Sequence, residues 1–90
     1  MIRVVIAEDQ QMLLSALASL LQLEDDIEVV AQVPDGGKAL EAIRNLRPDI
    51  CLLDIEMPGL GGLDVAEAVR RDGLGCRIVI VTTFSRPGYL

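Results

Sequence analysis

Two short runs in the chain, Ile50-Cys51-Leu52-Leu53 and Ile78-Val79-Ile80-Val81, are apolar at every position. A strand with one wet face alternates apolar and polar residues, so an unbroken apolar run demands cover on both faces. The sequence between and before these runs supplies that cover as helices. Residues 3–7 (RVVIA) read as a first strand, and residues 12–23 as a helix with Leu13, Leu17, Leu20 and Leu21 on one side and Ser15, Ser19 and Gln22 opposite. An acidic turn at 23–26 leads to a second strand over 27–33. Residues 35–46 form a second helix with Asp35 as N-cap and Leu40, Ile43 and Leu46 inward. It stops at Arg47, because Pro48 disfavours helical geometry in the residue before it. The third strand is 50–54, the third helix 63–71 has Leu63, Ala66 and Val69 inward and closes at Gly73, and the fourth strand is 77–82. The last residues, FSRPGYL, lead toward another helix.

Strands alternating with helices give an α/β domain built on a parallel sheet, and right-handed crossovers leave few topologies. The expectation is a flavodoxin-like sheet in the order 2-1-3-4, with a fifth strand and the last helices missing. The 90 residues form a single domain, incomplete at its C-terminal end. With 51% hydrophobic but only 2% aromatic residues, the core has to be aliphatic. A formal charge of −6 disfavours direct grip on nucleic acid or anionic lipid. No stretch is long enough to span a bilayer, and the apolar start is too short for a signal peptide, so the expected location is cytoplasmic. Cys51 reads as a small buried hydrophobe rather than half of a disulfide with Cys76. The absence of histidine excludes Ser-His triads and histidine-ligated metals.

Ligands of open α/β sheets bind outside the carboxyl ends of the strands. Strand one ends in Glu8-Asp9, strand three in Asp54 and strand four in Thr82-Thr83. Neighbouring strands lie ~4.8 Å apart. Two carboxylates ~5 Å apart repel by roughly 3 kcal/mol at an effective dielectric near ~20. A trio of them favours protonation or a divalent cation, and an all-oxygen site with room for water suits Mg²⁺ or Mn²⁺. One carboxylate could then attack phosphorus to give an acyl phosphate. Singly, the residues also have plain readings. Asp9 serves equally as a cap for the first helix, Thr82 as a β-branched strand residue, and Pro58, Gly59, Gly61 and Gly62 as turn formers, the glycines permitting positive φ. Asp54 resists such a reading, since a lone carboxylate ending a buried strand is costly.

AEDQ, LLDIEMPGLGGLD and IVIVTTF, in that order and spacing, resemble a response-regulator receiver domain of two-component signalling. DIEVVAQVPDGGKALE further resembles the receivers that precede a LuxR/NarL-type helix-turn-helix, and TTFSRPGYL is more loosely similar to regulators of membrane-lipid desaturation. The resemblance implies that Asp54 accepts a phosphoryl group from a histidine kinase. It implies Mg²⁺ held by Glu8, Asp9, Asp54 and the backbone carbonyl of Glu56. Thr82 matches the switch hydroxyl, Thr83 the small residue flanking donor access, and Met57 and Pro58 the loop shaping the pocket. Glu8 stands where Asp is common in the family. The resemblance implies phosphorylation-controlled transcription regulation, with DNA bound only through an output domain absent from these residues, no membrane partner, and no turnover enzyme beyond self-phosphorylation.

The family's lysine and aromatic switch residue on a fifth strand have no counterpart here, and the only lysine is Lys38. An uncovered fourth strand is an adhesive edge, which invites a homodimer or a swapped dimer. A receiver-like module that binds partners without being phosphorylated is the alternative reading. A P-loop ATPase is excluded, because Gln32 and Ala39 stand where that motif needs Gly and Ser/Thr. An aspartyl phosphatase would use Glu56 as its second acid but lacks a lysine from a later strand.

Overall fold

The computed structural model of the protein describes residues 1–55, 57 and 59–81. In chain order the elements are β1 (Ile2–Ala7), α1 (Gln11–Gln22), β2 (Ile27–Val33), α2 (Gly36–Leu46), β3 (Ile50–Asp54), α3 (Gly62–Arg71) and β4 (Arg77–Val81). The sheet runs β2-β1-β3-β4 with every neighbouring pair parallel, as the flavodoxin-like reading expects. The start of the helix expected after β4 and the last residue of the expected fourth strand, Thr82, lie outside the described residues. No helix among the described residues is long and apolar enough to cross a membrane.

Side chains alternate across the sheet, and both sides are covered. Val5, Ala7, Cys51 and Leu53 pack with Ala39 and Ile43 of α2 and Val65 and Val69 of α3. Val4 and Ile6 point the other way onto Leu14 and Ala18 of α1, with Ile50 and Leu52 beside them. This two-sided burial is the physical reason the strands carry no polar alternation. Both cysteines are buried thiols without a disulfide. Val79, beside Leu52 on the α1 side, stays 39% exposed, and β4 is an edge strand among the described residues.

Helix orientation differs from the sequence reading at three leucines. Leu20 is 63% exposed, Leu63 66% and Leu46 36%. The buried faces centre instead on Leu14 and Ala18 in α1, Ala39 and Ile43 in α2, and Val65, Ala68 and Val69 in α3. Ala18, Ala39 and Ala68 on these faces let the helix axes approach the sheet, and Leu20, Leu46 and Leu63 fall on the flank. Ala66 of α3 is likewise only half-buried.

The helix ends follow local rules. Asp35 caps α2, its carboxylate accepting from the Lys38 N–H at 2.8 Å. At the other end Arg47 adopts a left-handed conformation, φ 49, and its N–H still reaches the Ile43 carbonyl at 3.0 Å. The Arg3 guanidinium donates to the carbonyls of Leu46 and Arg47, at 2.7 and 3.2 Å, satisfying the exposed end of the helix. α3 closes through Gly73, φ 61, with Gly73 N–H on the Arg70 carbonyl and Leu74 N–H on the Val69 carbonyl, a paired bond that ends a helix.

The two ends of α2 respond to substitution with opposite signs. Asp35→Ala lowers stability by about 1 kcal/mol through loss of the cap. Arg47→Gly raises it by about 1 kcal/mol, since glycine accepts positive φ without a steric cost. Urea denaturation of both variants measures the pair.

Candidate metal centre at the strand ends

β1 and β3 are paired in register, Ala7 beside Leu53, and β3 continues against β4 with Asp54 beside Val81. The next residue of β1 is Glu8, whose N–H still bonds the Val33 carbonyl of β2 at 3.1 Å. Glu8 and Asp54 therefore leave adjacent strands at the same height, and Asp9 follows at the rim. One carboxylate oxygen from each of Glu8, Asp9 and Asp54 lies within 4.8 Å of the other two. Glu8 and Asp54 are each only 2% exposed, whereas Asp9 is open to solvent. Ile6, Ala7, Leu17, Leu52, Leu53 and Val81 surround the two buried acids.

Burial pushes the Glu8 carboxyl up from 4.5 to about 7, the backbone N–H of Gln10 pulls it down, and Asp9 and Asp54 push it up again. The Gln10 bond, 2.8 Å long, turns one Glu8 oxygen back toward the start of α1. That helix has Gln10 at its N-cap position, so Asp9 is not the capping residue and stays with the acidic cluster. Three hard oxygen donors, one of them held near neutral pH by its surroundings, fit a small divalent cation such as Mg²⁺.

The segment between β3 and α3 leaves the same rim. Of the three glycines read as turn formers, Gly59 alone has positive φ, at 74. Gly61 is extended at the helix N-cap and Gly62 opens α3. Gly62 is needed for closeness instead: a Cβ there would stand 3.2 Å from the Asp54 carbonyl oxygen and 3.3 Å from Ile80. Met57 is buried against the core. Glu56, Pro58, Thr82 and Thr83 lie outside the described residues. The sequence reading missed the role of Gly36, which is buried at the first turn of α2 against Leu60. Its signal was a glycine at the first position after a cap, where a better helix former would stand if space allowed.

Comparison with known proteins agrees with this fold. The response regulator receiver domain family matches residues 4–90. The transcriptional regulatory protein DesR of Bacillus subtilis is 55% identical over 89 residues, covering 99% of this chain and 44% of that protein. The nitrate/nitrite response regulator protein NarP of Escherichia coli is 39% identical over 80 residues, covering 89% of this chain and 37% of its own. The chain thus spans less than half the length of these relatives. Among solved structures, a LuxR-family DNA-binding response regulator from Staphylococcus aureus superimposes with a TM-score of 0.88 at 43% identity, over 99% of this chain and 74% of that one. The receiver domain of the NarL response regulator from Mycobacterium tuberculosis gives 0.89 at 35% identity, over 98% and 71%.

The raised Glu8 carboxyl sets a pH signature. The folded chain keeps a proton that the unfolded chain releases, so without metal this group stabilises the fold below the ordinary carboxylate range. That contribution is lost as pH climbs through about 7. Thermal midpoints without divalent cation therefore fall between about pH 5 and about pH 8, and Glu8→Gln flattens the decline. Mg²⁺ needs the carboxylate, so its affinity weakens by up to about tenfold per unit as pH falls below about 7. Calorimetric titration across that range checks the slope.

Proposed function

The chain belongs to the response regulator receiver domain family, and on that footing we propose that Asp54 is the phosphoacceptor of a two-component signalling protein. The observation that carries this reading is the meeting of Glu8, Asp9 and Asp54 oxygens within 4.8 Å at one rim. Strand geometry makes Asp54 the central member. It ends a strand whose neighbours on either side supply the rest of the pocket, and its burial limits the directions from which a donor approaches.

In the transfer, a carboxylate oxygen of Asp54 forms the new bond to phosphorus as the P–N bond of the kinase phosphohistidine breaks, and the imidazole leaves with that electron pair. A bound Mg²⁺ would offset the charge of the incoming phosphoryl group. Glu8, Asp9, Asp54 and the Glu56 carbonyl would hold it. Glu8, anchored by the Gln10 N–H, fixes the spacing of the acids without leaving the core. Thr82 would donate a hydrogen bond to a phosphoryl oxygen, and the small Thr83 would leave room for the donor. The chemistry is a single self-modification without turnover.

The kinase would dock beside the site on α1, whose outer side presents Met12, 89% exposed, and Leu20. The parent protein would be a cytoplasmic transcription regulator in which phosphorylation of this domain controls a DNA-binding output domain. The relatives described as transcriptional regulators support that reading. The open edge of β4 and half-exposed Val79 support pairing with a second copy.

Incubation with acetyl phosphate or beryllofluoride loads Asp54 in the presence of Mg²⁺ and not in its absence, and Asp54→Asn abolishes loading. Peptide mapping by mass spectrometry locates the modification. A modified residue other than Asp54 overturns the assignment, and a chain that folds, binds Mg²⁺ and takes no phosphoryl group is a binding module.

A further inference from the structure

α2 begins hard against the segment that carries the phosphoacceptor's surroundings. Gly36, buried in the first turn of α2, leaves no room for a side chain: a Cβ there would overlap the Leu60 carbonyl oxygen and stand 3.2 Å from Cγ2 of Val65. The next glycine is different. A Cβ on Gly37 meets only its neighbouring cap, the Asp35 Oδ1, at 3.4 Å. Of the two adjacent glycines, Gly36 is buried against Leu60 of the connection between Asp54 and α3, whereas Gly37 is exposed and does not meet it.

The helix side of this contact is fastened at several points. α2 is capped by Asp35, locked into the core by Ala39 and Ile43, paired through Arg44 to Asp72 at 2.8 Å, and closed by Arg3 on the Leu46 carbonyl. The connection from Ile55 to Gly61 holds to the sheet through the Ile55 N–H, 3.3 Å from the Val81 carbonyl, and turns at Gly59 with positive φ. Leu60 within it is only half-buried. An added methyl at residue 36 therefore forces α2 and the Leu60 backbone apart. Through Ile55 the same connection is joined directly to Asp54, one of the proposed ligands.

We propose that Gly36 is a positioning residue for the metal centre: by letting α2 bear directly on the Leu60 backbone, it sets the height of the Asp54–α3 connection and with it the cation affinity of the site. This rests on the metal and phosphoacceptor reading above. It adds to that reading a residue from an element that contributes no ligand. Support for ligands by groups behind them is a general feature of metal sites, and losing it typically weakens binding by about ten- to a hundredfold.

The test uses Mn²⁺ as the probe, with electron paramagnetic resonance as readout, because the chain has no tryptophan to report binding. Gly36→Ala is expected to weaken Mn²⁺ binding about tenfold or more and to slow loading by beryllofluoride to match. Gly37→Ala adds the same methyl one residue on and leaves binding unchanged. Ile43→Val, buried in the same helix away from the connection, lowers the thermal midpoint and also leaves binding unchanged. Should Gly36→Ala be too unstable alone, it is made together with Gly37→Ala, whose better helix propensity offsets the loss. Unaltered Mn²⁺ affinity in Gly36→Ala overturns the proposal, and so does an equal weakening in Ile43→Val, which would make the effect one of stability alone. Failure to fold even beside Gly37→Ala also overturns it, because the connection would then be too rigid to yield. If the parent chain itself fails to bind Mn²⁺ at Asp54, the underlying site reading falls instead.

Discussion

Like charges forced together at the end of a buried sheet are the constraint around which this molecule is organised. Glu8 and Asp54 leave adjacent parallel strands at one height, are both 2% exposed, and have Asp9 beside them. Their mutual repulsion and lost hydration oppose folding, and the surroundings answer in part through the Gln10 N–H on Glu8 and in part by raising the Glu8 carboxyl toward neutrality. A fold chosen for stability alone would place apolar or neutral residues there. The cost makes sense when a cation and a phosphoryl group are what the site receives, because the same crowding that weakens the empty fold attracts them.

The rest of the architecture serves to hold that crowding in place. α1 seals one side of the sheet with Leu14 and Ala18, and α2 with α3 seals the other. Each helix also begins next to the rim. α1 starts where Gln10 engages Glu8, α2 where Gly36 meets Leu60, and α3 where Gly62 passes close to the Asp54 carbonyl. Three helix starts bear on one end of the sheet, while the arginine and aspartate contacts of Arg3, Asp49, Arg44 and Asp72 tie the helix ends and strand starts together at the other. Functional burden and structural fastening are separated along the strand axis.

Much of this was legible in the chain, for identifiable reasons. A strand buried on two faces announces itself by unbroken apolarity, so β3 matched the sequence reading residue for residue; β2 did so too, set off by the acidic turn before it and Pro34 after it, and the sheet order followed from chirality and resemblance. Asp35, Arg47 and Gly73 were readable because caps obey local rules. Helix faces were less so. Leu20, Leu46 and Leu63 drew the eye by size, yet close approach to a sheet favoured Ala18, Ala39 and Val65, and periodicity alone does not choose between stripes that are both apolar. The glycines were misread for a related reason. Conformational freedom is a property of the residue and visible in sequence, and it held at Gly59, but the clearance that Gly36 and Gly62 provide depends on partners far along the chain.

The central claim is that Glu8, Asp9 and Asp54 form one cation site. Paramagnetic broadening by substoichiometric Mn²⁺ in an amide-resolved nuclear magnetic resonance spectrum tests it directly. The account predicts that signals of residues 7–9 and 53–55 vanish together at the lowest Mn²⁺ levels, while those of Arg77 and Asp72 at the opposite end persist. Broadening that begins at the acidic turn of residues 24–26, or on Asp64 and Glu67 of α3, with Asp54 unaffected, would contradict it.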